Sequence, residues 1–272
     1  MYTDLMGLYA SIMSADQPPI SPLPMRPWQV WNYGRRWLGQ GQPPEIRFVV
    51  FGAERCGKSI LIDLLQQYGR VKCDRNLLST RYFFPLWHVH HHALHAKADL
   101  YGFQLSSQDL LSGQRLNEPG QFLQLLVDQG YHIIHLHRQD MMRHAVSLIK
   151  AQQSVDAPTL KRQPIEVVPD TLLTQLAQLE QQRLEEKAIL SVVPHLRITY
   201  ETDLLDPNQH ERVAHQLSSL FDTDWQPQPR SGLRLVHQQI ADLIANYDEV
   251  RQALEQSDYA YVLSPQSMQL AI

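Results

Sequence analysis

Cysteine is scarce in this chain: Cys56 and Cys73 are the only two in 272 residues. Two thiols do not make a disulfide framework, and Cys56 lies in a glycine-bracketed loop where a bridge would be awkward. Both are read as reduced thiols of a reducing compartment, the cytoplasm. Long apolar runs are missing as well. No stretch of about 18 apolar residues occurs, so no membrane-spanning helix is expected. Met1 to Met13 has no basic run ahead of its apolar residues, which argues against a secretory signal and for a short packed helix. An excess of positive charge is also lacking. The formal net charge is −4, so a protein that coats nucleic acid is not expected, although a local basic pocket is compatible with that balance.

What remains is a chain well able to fold. Hydrophobic residues make up 43% and charged residues 19%, which supplies a sizeable core and argues against global disorder. The length suits one large α/β domain better than two. Residues 14–45 are broken by Pro18-Pro19, Pro22, Pro24, Pro27 and the Gly39 to Pro44 stretch, so 1–45 reads as an irregular N-terminal arm and 46–272 as the domain. In the domain, strands expected at 47–51, 71–73, 100–105, 131–137 and 195–200 alternate with helices at 58–68, 82–96, 120–128, 141–151, 171–191 and 207–221. Two tail helices are expected around 236–246 and 248–255. Asp170 is placed as N-cap of the long helix, whose leucines 172, 173, 176 and 179 share one face. Such alternation implies an α/β fold with a central, mostly parallel sheet and helices on both faces.

The most informative stretch is Phe48-Val49-Val50-Phe51-Gly52-Ala53-Glu54-Arg55-Cys56-Gly57-Lys58-Ser59. An apolar strand, a G-x-x-x-x-G-K-S loop and a helix follow one another, which is the context of a P-loop. Glycines let backbone N–H groups turn inward, and the helix N-terminus adds partial positive charge. Arg55 and Lys58 add full charges. A kinase or NTPase would also need an acid at the end of an apolar strand to hold Mg²⁺. Here the strand ending at His137 runs into His-Arg-Gln-Asp, and the one ending at Tyr200 runs into Glu201 without four apolar residues in a row. The stretch His137 to Ser147 offers a different partner: Arg138 at a strand end and Ser147 in the next helix can grip a second phosphate.

On these residues the chain resembles the sulfotransferase superfamily. Val50 to Ser59 looks like the family's 5′-phosphosulfate loop, and Ile134 to Ser147 like its 3′-phosphate segment of the bacterial type. Tyr101-Gly102-Phe103-Gln104-Leu105 resembles its F-G-F-K-L strand, Leu196 to Leu205 its I-T-Y-E-D-L-L segment, and Asn246-Tyr247-Asp248-Glu249-Val250 a tail motif. Lys58 stands where the family usually has Thr, Glu54 where it often has Pro, Gln104 where a Lys is often seen, and His137 at one of two paired Arg positions. Lys58 can supply the charge that Gln104 does not.

The resemblance implies a P-loop nucleotide-kinase-like three-layer fold. It implies 3′-phosphoadenosine 5′-phosphosulfate (PAPS) as sulfonyl donor and adenosine 3′,5′-bisphosphate as product, with no obligatory metal. The acceptor is expected to be a carbohydrate, a glycolipid or a small hydroxylated metabolite. Gly52, Arg55, Cys56, Gly57, Lys58 and Ser59 would surround the phosphosulfate, Arg138 and Ser147 the 3′-phosphate. Arg55 and Lys58 would stabilise developing charge. Asp74 would take the acceptor proton if burial lifts its pKa, with Glu54 and the histidines as rivals. A P-loop kinase using ATP and Mg²⁺, favoured by Lys58-Ser59, and a non-catalytic nucleotide-binding module stay open. His88, His90, His91, His92 and His95 contain i, i+4 pairs that suit metal, but no Cys, nearby carboxylate or H-E-x-x-H completes a set, so they read as a polar helix face near the acceptor entrance. Arg143 reads as solvated, and the basic loop Arg230 to Arg234 as a further aid to the phosphate.

Overall fold

Four consecutive apolar residues, Phe48 to Phe51, are all completely buried, which a strand achieves only when both faces of its sheet are covered. The computed structural model describes residues 42–67, 69–156, 163–224 and 239–263. They fold around a five-stranded sheet in the order β2-β3-β1-β4-β5, with every pair parallel. The strands are β1 (Ile46–Phe51), β2 (Val71–Asp74), β3 (Leu100–Leu105), β4 (Tyr131–His137) and β5 (Leu196–Thr199). Side chains alternate across the sheet. Phe48, Val50, Ile134 and Leu136 pack on one face with α1 (Lys58–Leu65) and, in chain order the sixth helix, α6 (His210–Leu220). Val49, Phe51, Phe103 and Ile133 pack on the other with α2 (Pro85–Leu94), α3 (Pro119–Asp128) and the end of α5 (Pro169–Leu190). The expected α/β architecture is therefore present, with helix, sheet and helix in three layers.

A third apolar cluster joins α4 (Met141–Asp156), α5 and α7 (Tyr247–Glu255). The Asn246 motif serves it directly. The Asn246 side chain donates to the Val167 carbonyl at 2.9 Å and accepts from the Val167 N–H at 2.9 Å. It thereby ties the tail to the segment entering α5.

The differences from expectation lie at element ends, where prolines set the boundaries. Asp170 does not cap α5: Val168 is the N-cap, Pro169 takes a first-turn position where its missing N–H costs nothing, and Asp170 sits in the first turn. Pro85 likewise starts α2 later than the expected 82. Pro207–Gln209 is a separate 3₁₀ turn ahead of α6. Tyr200–Leu204 coils into a π-helical turn instead of prolonging β5, and a second such turn, Asp109–Gly113, follows β3 where no element was expected. The arm lies outside the described residues through position 41, as does the basic loop Arg230 to Arg234. Of the expected tail helix at 236–246, the described part contains only the 3₁₀ turn Ile240–Leu243. Among the described residues, no helix is long and apolar enough to cross a membrane.

Candidate active site

In open α/β sheets, ligands bind beyond the C-terminal ends of the strands. The cleft here lies at that edge and measures about 390 Å³. Its floor is the loop between β1 and α1. Gly57 is the N-cap of α1 with φ +102°, a left-handed value that suits glycine, and it has no side chain with which to cap the helix. A Cβ there would also collide with the Tyr200 ring. The Ile60 N–H already bonds the Gly57 carbonyl at 3.0 Å, which leaves the N–H groups of Lys58 and Ser59 as the helix's leading donors, and both residues face the cleft. Lys58 Nζ donates to the Leu105 carbonyl at 3.5 Å. Gly52, with φ +153°, turns the chain out of β1 beside the Leu136 carbonyl, so closely that a Cβ would collide with it.

One wall is built by β4 and α4. Arg138 stands 4.9 Å over the Tyr200 ring and donates from Nη1 to the Arg55 carbonyl at 2.9 Å. Its Nε is 3.7 Å from Glu201 Oε1. Glu201 also accepts from the N–H groups of Gln139 (2.7 Å) and Asp140 (3.2 Å). Arg183 of α5 donates to the carbonyls of Arg138 and Gln139. The turn that carries Arg138 is therefore fixed from two sides. Ser147 of α4 accepts a hydrogen bond from Arg55 Nε at 3.3 Å, which joins the β1–α1 loop to α4 across 92 residues of sequence. Arg143 is outside this wall and pairs with Asp140 at 3.1 Å.

The other wall comes from β2 and β3. Arg75, Asn76, Gln104, Ser106 and Asp109 line it. Asp109 Oδ2 accepts from the Ser106 N–H (2.8 Å) and Oγ (2.7 Å), while the Asp109 N–H donates back to Ser106 Oγ at 3.2 Å. This reciprocal pair is a capping box at the start of a short helical turn.

The residues singled out in the sequence thus divide. Arg55, Gly57, Lys58, Ser59, Arg138 and Ser147 meet in one cleft. Gly52 and Cys56 shape the loop from behind. Cys56 is 1% exposed, within the core, and does not line the cleft, and burial pushes its thiol up to about 12. Cys73 is shifted to about 12 for the same reason, and both thiols are free.

Asp74 is the correction. It does not line the cleft. Its Oδ2 meets His92 Nδ1 at 2.8 Å and the Tyr101 hydroxyl, which donates at 3.1 Å, and Lys72 Nζ lies 3.7 Å from Oδ1. Burial alone would raise its pKa, but the His92 and Tyr101 hydrogen bonds and the Lys72 charge outweigh it and leave the carboxyl below its usual range. The expected upward shift is absent. The histidine run also finds local partners. His88 stacks on Tyr82 with ring centres 3.8 Å apart, and burial pushes its pKa down to about 4. Among the described residues, no group of three or more His, Cys, Asp or Glu side chains is placed to hold a metal ion.

No family model matches this chain, and no curated protein does.

The sequence does not single out four polar residues of the cleft: Arg75, Asn76, Ser106 and Asp109. A signal for them existed. Arg75-Asn76 follows β2 directly, Ser106-x-x-Asp109 follows β3, and loops after strand ends are where such folds build their sites.

Proposed function

We propose that the protein is a sulfotransferase that moves a sulfonyl group from PAPS to a hydroxyl of a carbohydrate, glycolipid or small metabolite, releasing adenosine 3′,5′-bisphosphate. The observation that carries this reading is the meeting of two anion-binding segments in one cleft: the P-loop with Arg55, Lys58 and Ser59, and the β4–α4 wall with Arg138 and Ser147. A nucleotide with phosphates at both its 5′ and 3′ ends uses both segments; a simple nucleoside monophosphate uses one. Four cations, Arg55, Lys58, Arg75 and Arg138, face the cleft against two carboxylates, Glu54 and Asp109, so the residues present suit a polyanion.

The division of the walls assigns the roles. The nucleotide occupies the β4–α4 side, and the P-loop holds the reacting end. The acceptor therefore enters from the β2–β3 side, which Arg75, Asn76, Gln104 and Ser106 make polar, as a hydroxylated acceptor requires. Asp109 is the carboxylate on that side and takes the acceptor proton. Arg55, Lys58 and the α1 N-terminus stabilise the charge that develops on the leaving oxygen and the sulfonyl oxygens. The free, unreactive thiols fit a reducing cytoplasm.

The kinase reading has Lys58-Ser59 in its favour. Against it, β3 ends at Leu105 and β4 at His137, and Asp74, which ends β2, is engaged by His92 and Tyr101 outside the cleft. Glu201, after β5, has its oxygens engaged by the Gln139 and Asp140 N–H groups. A thermal-shift panel decides between the readings. A ligand at 100 times its dissociation constant adds about 2.7 kcal/mol of stability. Adenosine 3′,5′-bisphosphate without Mg²⁺ should stabilise the protein, and AMP should do so less. Stabilisation by ATP·Mg²⁺ alone would reverse the assignment, and stabilisation by none would point to the non-catalytic module.

A further inference from the structure

In a planar trans peptide the carbonyl and the next residue's N–H point in opposite directions. A donor that captures a carbonyl from one side therefore aims the following N–H to the other. The P-loop has two such captured carbonyls. His144 Nε2 lies 2.6 Å from the Glu54 carbonyl, and Arg138 Nη1 lies 2.9 Å from the Arg55 carbonyl. His144 is 2% exposed and lines a small cavity behind the loop, together with Cys56, His137 and Glu186; it takes no part in the cleft wall. Between the two captured carbonyls Arg55 has φ +60°, a left-handed value that a non-glycine residue adopts at a cost. Such a conformation persists only where the surroundings over-determine it.

We propose that His144 is a positioning residue for the anion site: its Nε2–H holds the Glu54–Arg55 peptide with the carbonyl turned inward, so that the Arg55 N–H faces the cleft and joins the α1 N-terminus in binding a phosphate, sulfate or pyrophosphate group. Arg138 holds the next carbonyl, that of Arg55, and so braces the far side of the same residue. A carbonyl can only accept, so the His144 tautomer is fixed with its proton on Nε2. Burial, the leading cause, pushes the imidazole pKa down to about 3, so this single proton is what the neutral ring has to give. Without the donor, the part-buried Glu54 carbonyl would lose its partner, and the peptide would gain by rotating it towards the cleft and the water there. An outward carbonyl repels the anion that the N–H attracts.

The inference rests on the phosphate-binding half of the proposed function and not on sulfonyl transfer, so the probe is inorganic pyrophosphate, titrated into ¹⁵N-labelled full-length protein. In the wild type, the amide resonance of Arg55 should move together with those of Lys58 and Ser59. His144→Leu should weaken pyrophosphate by about tenfold or more, the effect of losing a hydrogen bond to a charged group, and silence the Arg55 shift. His144→Gln, whose side-chain amide can donate to the same carbonyl, should bind within about threefold of the wild type. The inference is overturned if His144→Leu binds as the wild type does, if His144→Gln is as weak as His144→Leu, or if Arg55 stays silent in the wild type while Lys58 and Ser59 respond. Should His144→Leu fail to fold, the wild-type titration and His144→Gln decide. A wild type that ignores pyrophosphate removes the P-loop reading too. One that binds it but does not favour adenosine 3′,5′-bisphosphate over AMP removes only the sulfotransferase reading.

Discussion

Two carboxylates stand just beyond neighbouring strand ends, and the fold treats them differently. Asp74 closes β2; Asp109 lies a few residues past β3. Asp74 faces α2 and is surrounded by donors, with His92 and Tyr101 on one oxygen and Lys72 near the other. Asp109 faces the cleft. Both bonds it accepts fall on Oδ2, from Ser106, and its Oδ1 has no partner among the described residues. A carboxylate used as a base must present a free lone pair to the reacting proton. Position at a strand end is therefore not enough. What separates the two is where the donors around them come from.

Replacing each acid by its amide separates their roles most directly. Asp109→Asn should lower turnover by about 10²–10⁴ fold, the range for loss of a general base, while leaving affinity for adenosine 3′,5′-bisphosphate unchanged. Asp74→Asn should leave turnover within a few-fold of the wild type. Steady-state kinetics on any accepted hydroxyl substrate provides the check. Full activity in Asp109→Asn with loss in Asp74→Asn would restore the original assignment and discard the new one.

The reason Asp74 misleads in the sequence is instructive. Its partners are 18 and 27 residues away, in α2 and β3, and nothing local announces them. His92 looks like a competitor for the role of base and proves to be the group that occupies Asp74. The loop between β1 and α1 is legible for the opposite reason. Strand, glycines, cation and helix start are contiguous in sequence, and the structure places them as a strand, a turn and a helix start. Arg138 and Ser147 are intermediate cases: their strand-to-helix context is readable, but not that Arg138 also braces the Arg55 carbonyl. Asp109 is hidden because its capping box sits in a π-helical turn, whose five-residue spacing has no simple apolar pattern. The parallel sheet with helices on both faces follows from the alternation, its strand order does not, and helix starts move by a few residues wherever a proline claims the first turn.

On the P-loop side, Arg55→Ala should reduce turnover by about 10²–10³ fold, as removal of an electrostatic stabiliser does. Its effect on product affinity should be smaller, because the charge it meets grows in the transition state. Comparing kcat with the dissociation constant of adenosine 3′,5′-bisphosphate tests this. Near-native kcat in the variant would leave Arg55 as a strut for Ser147 and no more. Ser147→Ala should act on binding alone. It removes one hydrogen-bonding hydroxyl, so the preference for adenosine 3′,5′-bisphosphate over AMP should fall by roughly three- to tenfold. Calorimetry with both nucleotides measures it, and an unchanged ratio would remove Ser147 from the 3′-phosphate site.

The smallest effect belongs to Asp74 and concerns stability. Its carboxyl is held below the ordinary value by His92, Tyr101 and Lys72. A folded-state pKa below the unfolded one means that the unfolded chain takes up the proton first as pH falls. The stabilisation is therefore complete above the unfolded pKa of about 3.9, and it is lost as pH drops through the lower folded value. Asp74→Asn removes the charge and keeps the shape, so near neutral pH it should cost about 1 kcal/mol, the scale of a net hydrogen bond. The gap between wild type and variant should shrink below roughly pH 4. Denaturant titrations of both proteins at pH 7 and at acid pH give the comparison. A gap that is the same at both pH values would mean that the Asp74 charge contributes nothing to holding α2 against the sheet. The histidine face would then owe its order to packing alone, through contacts such as the His88–Tyr82 stack.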